Sequence, residues 1–212
     1  MRYDDRRHAG TLLGAELAGL GPEDPVVFGL PRGGVPVAFE VAKTLGCPLD
    51  VLVVRKVGVP FQPELAMGAI AEGDVVIRND DIIGLARVDE DGFASVVDSE
   101  RRELEKRVAA YRSEAPPISP VGHTAIVVDD GLATGSTALA AVGVLREKGA
   151  DSVWLAVPVA PRSSLGDLER LADRLVILAR PRAFGAVGYW YDDFSQTNDD
   201  EVRRLLRMSR LA

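Results

Sequence analysis

Cys47 is the only cysteine in 212 residues. No internal disulfide and no thiolate metal cluster can therefore form, and its place in a Leu-Gly-Cys-Pro turn fits a small buried apolar residue. Excess positive charge is also missing: 25 Lys and Arg face 32 Asp and Glu, giving a net charge of −7 and a pI near 5.0. That balance weighs against a nucleic-acid binder driven by counterion release. No run approaches 18 apolar residues, and the opening Met-Arg-Tyr-Asp-Asp-Arg-Arg lacks an apolar signal core. No membrane contact is expected, and the expected location is cytoplasmic. Repeats and low-complexity segments are absent. Aromatic residues make up only 6% of the chain, which makes their cluster at 184–194 conspicuous.

What is present is an ordinary globular composition, 47% hydrophobic and 27% charged, in a chain long enough for one α/β domain. Its most informative stretch runs from the β-branched Ile126-Val127-Val128 into Asp129-Asp130. It then turns through Gly131-Leu132-Ala133-Thr134-Gly135-Ser136-Thr137 into an Ala-rich helical pattern ending near Lys148. This reads as strand, loop, helix. Gly131 and Gly135 let successive N–H groups converge on an anion. Thr134, Ser136 and Thr137 add hydroxyls at a helix N-terminus, which already favours negative charge. A phosphate suits the loop. The two aspartates repel phosphate, so they should contact sugar hydroxyls or a divalent cation on the same ligand; ribose 5-phosphate presents both features. The nucleotide P-loop pattern, with its lysine, does not occur here, nor does Gly-x-Gly-x-x-Gly.

Residues 127–137 resemble the phosphoribosyl diphosphate (PRPP) signature of the type I phosphoribosyltransferases: two apolar residues, two acids, a short apolar link, then Thr-Gly-x-Thr/Ser. The resemblance implies a Rossmann-like α/β fold with a parallel twisted sheet, helices on both faces, a small hood and an antiparallel hairpin excursion. It also implies transfer of ribose 5-phosphate from PRPP to a nitrogen nucleophile with magnesium, or else PRPP sensing without transfer. By it, Asp129 and Asp130 hold the ribose hydroxyls directly or through Mg2+, residues 133–137 hold the 5-phosphate, and Gly131 and Leu132 belong to the same PRPP-binding loop. The domain would span 1–212, with a core at about 22–180 and a hood from 1–20 and 181–212. PRPP and a small-molecule acceptor are the expected partners; a homodimer is left open.

Around this centre the chain alternates. Ala9, Leu12, Leu13, Leu17 and Leu20 lie at helical spacing, with Asp4 or Asp5 as N-cap and Gly21-Pro22 as the stop. A strand at 26–30 leads into Pro31-Arg32-Gly33-Gly34, whose guanidinium and glycines suit phosphate oxygens, then a helix to Leu45. By the resemblance this is the diphosphate loop. Val51-Leu52-Val53-Val54 reads as a strand ending in Arg55-Lys56, two cations suited to a diphosphate. Gly58, Pro60 and Pro63 are expected to break regular structure in a mobile catalytic loop, with Glu64 just beyond. Gly73-Asp74 reads as a two-residue hairpin turn. Residues 89–114 read as a charged helix with a solvated face. Strands follow at 153–157, ended by the 158–161 segment, and at 175–179, with a helix at 165–172 between them and another at 201–211. In the aromatic cluster, Val187, Tyr189 and Trp190 resemble a base-binding segment and Asp192 a metal contact. One departure bears on substrate: hypoxanthine-type enzymes carry an aspartate where Ala133 stands, whereas alanine there, and Arg55-Lys56-x-Gly, resemble adenine-type enzymes.

Overall fold

The computed structural model describes residues 2–112, 116–162 and 165–211. In chain order the elements are α1 (Arg6–Leu20), β1 (Pro25–Gly29), α2 (Gly34–Leu45), β2 (Leu49–Val51), β3 (Val54–Val59), β4 (Gln62–Ala71), β5 (Val75–Arg78), α3 (Asp80–Ala86), α4 (Glu90–Arg112), β6 (Thr124–Val128), α5 (Ser136–Glu147), β7 (Ser152–Val159), α6 (Gly166–Leu171), β8 (Arg174–Ala179) and α7 (Asp199–Leu211). No helix among the described residues is long and apolar enough to cross a membrane.

Five strands form a parallel sheet in the order β2-β1-β6-β7-β8. These strands read as near-continuous apolar runs because both faces are covered. On one face Val27, Ile126, Val128 and Ala156 pack with Leu13 and Leu17 of α1, Val41 of α2 and Leu205 of α7. On the other, Val26, Phe28, Val127 and Leu155 pack with Ala141 and Leu145 of α5 and Leu168 of α6. Numbered within this sheet, the order is 2-1-3-4-5, and the chain reverses direction of winding between β1 and β6. Ligands of open α/β sheets bind at that crevice. The loops after β1 and β6 flank it.

A separate antiparallel sheet, β3-β4-β5, is the expected excursion, but it is larger than the spacing predicts. Gly58 and Pro63 do not break structure; they lie inside a long β3–β4 hairpin that turns at Pro60 and Phe61. The pairing slips on both sides of Gly58, where a Cβ would stand 2.4 Å from the Pro63 carbonyl oxygen. Glycine is needed there because the opposing backbone comes so close. The β4–β5 loop has three residues, 72–74, with both Gly73 and Asp74 at positive φ. The strand expected at 51–54 is divided, residue 51 ending β2 in one sheet and residue 54 opening β3 in the other.

Pro158 does not end β7. Pairing with β6 stops at Ala156, while pairing with β8 continues to Val159. The Pro158 carbonyl accepts the Tyr3 hydroxyl at 2.7 Å, so its missing N–H faces the side beyond the end of β6. Helix α1 starts at an Asp5 cap, which accepts the His8 N–H, and stops at Gly21 in the left-handed region. The N-terminal segment then meets the stretch before α7: Tyr3 donates its N–H to Trp190 and accepts that of Asp192, and Asp4 accepts the N–H of Asp193.

Candidate functional site

Strand β6 delivers Asp129 and Asp130 to its carboxyl end, where the glycines of the first loop receive them. A Cβ on Gly33 would lie 2.1 Å from Asp130 Oδ2, and one on Gly34 would lie 2.8 Å from the Asp129 Cα. The glycine pair is thus required by the acids' approach, whatever it does for an anion. Arg32 is exposed in the same loop, whose Pro31–Arg32 peptide is cis.

The carboxylates are treated unequally. Asp130 accepts from Arg6 Nε at 2.8 Å, and its backbone carbonyl accepts the Tyr191 hydroxyl at 2.5 Å. Asp129 forms no ion pair among the described residues; its Oδ1 accepts the Asp130 N–H at 2.9 Å. Burial, and then the charge of Asp130, push the Asp129 carboxyl well above the usual carboxylate range. Burial also raises Asp130, while Arg6 pulls it back. Two desolvated acids with one guanidinium leave negative charge that a divalent cation or sugar hydroxyls would satisfy. No group of three or more His, Cys, Asp or Glu among the described residues could cage a metal. A divalent cation held here would take its protein ligands from this pair alone.

Past the acids, Gly135 takes positive φ and α5 begins at Ser136, with Thr134 Oγ1 3.0 Å from Ser136 Oγ. Ala133, Thr134 and Thr137 are exposed. Leu132 is not available as a ligand contact: its N–H is donated to the Val159 carbonyl at 2.9 Å and its side chain is buried in the core. Gly131 is packed against Val187, whose Cγ1 would be 2.7 Å from a Cβ there.

A cavity of about 520 Å³ brings Leu30 and Pro31 of the first loop together with Arg55, Lys56, Glu64, Glu100 and Thr137. Both cations already have partners: Arg55 Nε donates to Glu100 of α4 at 2.7 Å, and Lys56 Nζ to Glu64 at 3.2 Å. A neighbouring cavity of about 650 Å³ is lined by Ala133, Thr134, Gly135 and Ser136, by Leu65, Ile82 and Leu168, and again by Glu64. Thr137 thus shares one cavity with Arg55 and Lys56, residues 133–136 line the other, and Glu64 borders both.

The aromatic segment is divided among several surroundings. Trp190 Nε1 is engaged by the Phe184 carbonyl at 3.1 Å, Tyr189 is exposed, and Tyr191 is buried against Tyr3. Asp192 does not join the acid pair. Backbone pairing with Tyr3 carries it to the N-terminal segment, where it pairs with Arg2 at 3.0 Å on the surface. Sequence reasoning missed Arg6, Tyr191 and Glu100. Arg6 lies 124 residues from Asp130, and nothing in a helix-opening Asp-Asp-Arg-Arg marks one arginine as a site residue.

The phosphoribosyl transferase domain model matches residues 7–189. The provisionally named phosphoribosyl transferase Rv0571c of Mycobacterium tuberculosis is 51% identical over 200 residues, 94% of this chain and 45% of that protein. The chain thus spans about half the length of the curated relatives it matches. The Thermus thermophilus protein TT1426 superposes with a TM-score of 0.92 at 44% identity, over 97% of this chain and 98% of that one. A Staphylococcus aureus hypoxanthine phosphoribosyltransferase, 14% identical, shares the fold with a TM-score of 0.52 over 87% of this chain and 78% of its own.

Proposed function

The chain belongs to the phosphoribosyl transferase domain family with its type I fold, and on that premise we propose that it transfers ribose 5-phosphate from PRPP to a nitrogen nucleophile, releasing diphosphate. The observation that carries this reading is the packing of Asp129 and Asp130 against Gly33 and Gly34 at the crevice between β1 and β6, with Thr137 facing Arg55 and Lys56 across one cavity. A cytoplasmic location belongs to the same reading.

In this reading the acid pair accepts the ribose hydroxyls, and the amides and hydroxyls of residues 133–137 hold the 5-phosphate. Arg32, Arg55 and Lys56 face the diphosphate, so Lys56 must leave Glu64 and Arg55 must leave Glu100 to engage it. The bond from C1 to the diphosphate oxygen breaks as a nitrogen lone pair forms the new bond to C1. Positive charge develops on the ribose and negative charge on the leaving group. Magnesium, when bound, neutralises part of that negative charge. Preorganised cations and amides supply the rest, and the β3–β4 hairpin shields the ribose from water. Glu64, on the wall of both cavities, receives the proton lost by the acceptor nitrogen. With Ala133 offering no carboxylate, hypoxanthine and guanine are poor acceptors, and an adenine-like or less common nitrogen base is used.

A second reading, PRPP binding without transfer, is favoured by one observation: Arg55 and Lys56 are both tied up in ion pairs. Titration calorimetry with PRPP and Mg2+, followed by diphosphate release across a panel of bases, separates the two. Binding with release for an adenine-like base supports transfer, and binding without release for any base supports sensing. Efficient turnover of guanine or hypoxanthine that survives Glu64→Gln would refute the acceptor assignment and the role of Glu64.

A further inference from the structure

Arg6 is held on three sides. Its Nε donates to Asp130 Oδ2 at 2.8 Å, its Nη1 donates to the Ser195 carbonyl at 2.7 Å, and its guanidinium carbon stands 4.0 Å above the centre of the Phe194 ring. Phe194 in turn stacks on Tyr191 at 5.1 Å, and Tyr191 holds the Asp130 carbonyl. The side chains of Arg6 and Asp130 are only 12% and 14% exposed. A guanidinium fixed by stacking and a backbone acceptor loses little freedom when it pairs with a carboxylate. The start of α1 and the 191–195 segment therefore close on one residue of the acid pair, while the other, Asp129, has no directly paired cation among the described residues.

We propose that Arg6 is a positioning residue that divides the work of the two acids: it claims one oxygen of Asp130 and leaves the other to accept a ribose hydroxyl, so that the divalent cation is drawn to Asp129. The assignment rests on the ribosyl-transfer reading of the site. A guanidinium in contact with Asp130 repels a metal ion from that carboxylate, while the same contact sets the carboxylate plane for hydrogen bonding. Asp129 has no direct ion-pair partner among the described residues, so the guanidinium acts on it only at longer range and repels a cation less there. Arg6 touches neither reacting atom; it acts through Asp130.

The test compares ribose 5-phosphate with 2-deoxyribose 5-phosphate by calorimetry in Mg2+, for the wild type, Arg6→Gln, Arg6→Lys and Phe194→Leu. The wild type should prefer the ribose sugar. Arg6→Gln should lose about tenfold or more of its ribose 5-phosphate affinity, the loss of one charge-assisted contact, and with it the preference, while Mg2+ affinity measured alone holds or rises. Arg6→Lys should restore part of the preference. Phe194→Leu, which removes the stacking surface without touching Asp130, should show a weaker form of the Arg6→Gln pattern, and it tests the proposal if Arg6→Gln does not fold. Unchanged discrimination between the sugars in Arg6→Gln, or Mg2+ and sugar affinities falling together, overturns the division of labour. Failure of the wild type to bind either sugar in Mg2+ overturns the ribosyl reading and this assignment together, whereas sugar binding that survives with unaltered discrimination overturns this assignment alone.

Discussion

Asp129 is half-buried beside a second acid, and among the described residues its side chain accepts one hydrogen bond, from its neighbour's N–H. Such an arrangement costs stability and is kept where function needs it. Asp129→Asn should therefore leave the ligand-free melting temperature at neutral pH equal to or above that of the wild type, while PRPP affinity measured by calorimetry is lost. A lower melting temperature would mean that the carboxylate stabilises the fold. Cys47 offers a second check. Burial pushes its thiol up to about 11 from an ordinary 9.0, against a partial opposing pull from nearby backbone. A rise of about two units leaves roughly a hundredth of the thiolate of a free cysteine at pH 8. Alkylation should be slower by about that factor until the protein is unfolded. The unfolded chain ionises first as pH climbs from about 9 to 11, so stability falls through that window and the contribution is absent below it.

Helix α4 shows what a charge pattern conceals. Its alternating Glu and Arg residues read as a solvated face, yet Glu100 pairs with Arg55 and Arg101 with Asp74, tying the helix to β3 and to the β4–β5 loop. Arg112 donates to Asp50 at 2.6 Å, to the Val51 carbonyl at 2.9 Å and to Glu72, joining β2 and the β4–β5 loop. Asp50 is 1% exposed and also accepts the Ile118 N–H. Arg112→Ala leaves that carboxylate buried without its cation, a loss of about 3–5 kcal/mol. Thermal denaturation should show a drop of roughly 10 °C, at about 2–4 °C per kcal/mol for a chain of this size. Arg112→Lys should recover only part, because one ammonium cannot serve three acceptors in a plane. No helical periodicity distinguishes an arginine in water from one that bridges two sheets.

At the scale of the molecule, the site is where the strand order reverses, and a ligand there touches loops from both halves of the sheet. Ligand that binds only the native state stabilises by about 2.7 kcal/mol at a hundred times its dissociation constant. Saturating PRPP with Mg2+ should raise the melting temperature by roughly 5–10 °C, and excess chelator should abolish most of the rise; an undiminished rise in chelator would show that Arg32, Arg55 and Lys56 neutralise the diphosphate alone. What the chain determined by itself is local: the strands at 26–30, 126–128 and 175–179, the acid pair before a glycine turn, and the glycine and hydroxyl turn that opens α5. These were legible because period, β-branching and glycine placement act within a dozen residues. The tertiary structure alone decided what meets across the chain. It carried Arg6 to Asp130, set Gly33 beneath the acid pair, engaged the Leu132 N–H with Val159, and drew Asp192 away to Arg2. The physical reason is that ion pairs and close packing depend on distance in space, and distance is set by the order in which the strands assemble rather than by any pattern along the sequence.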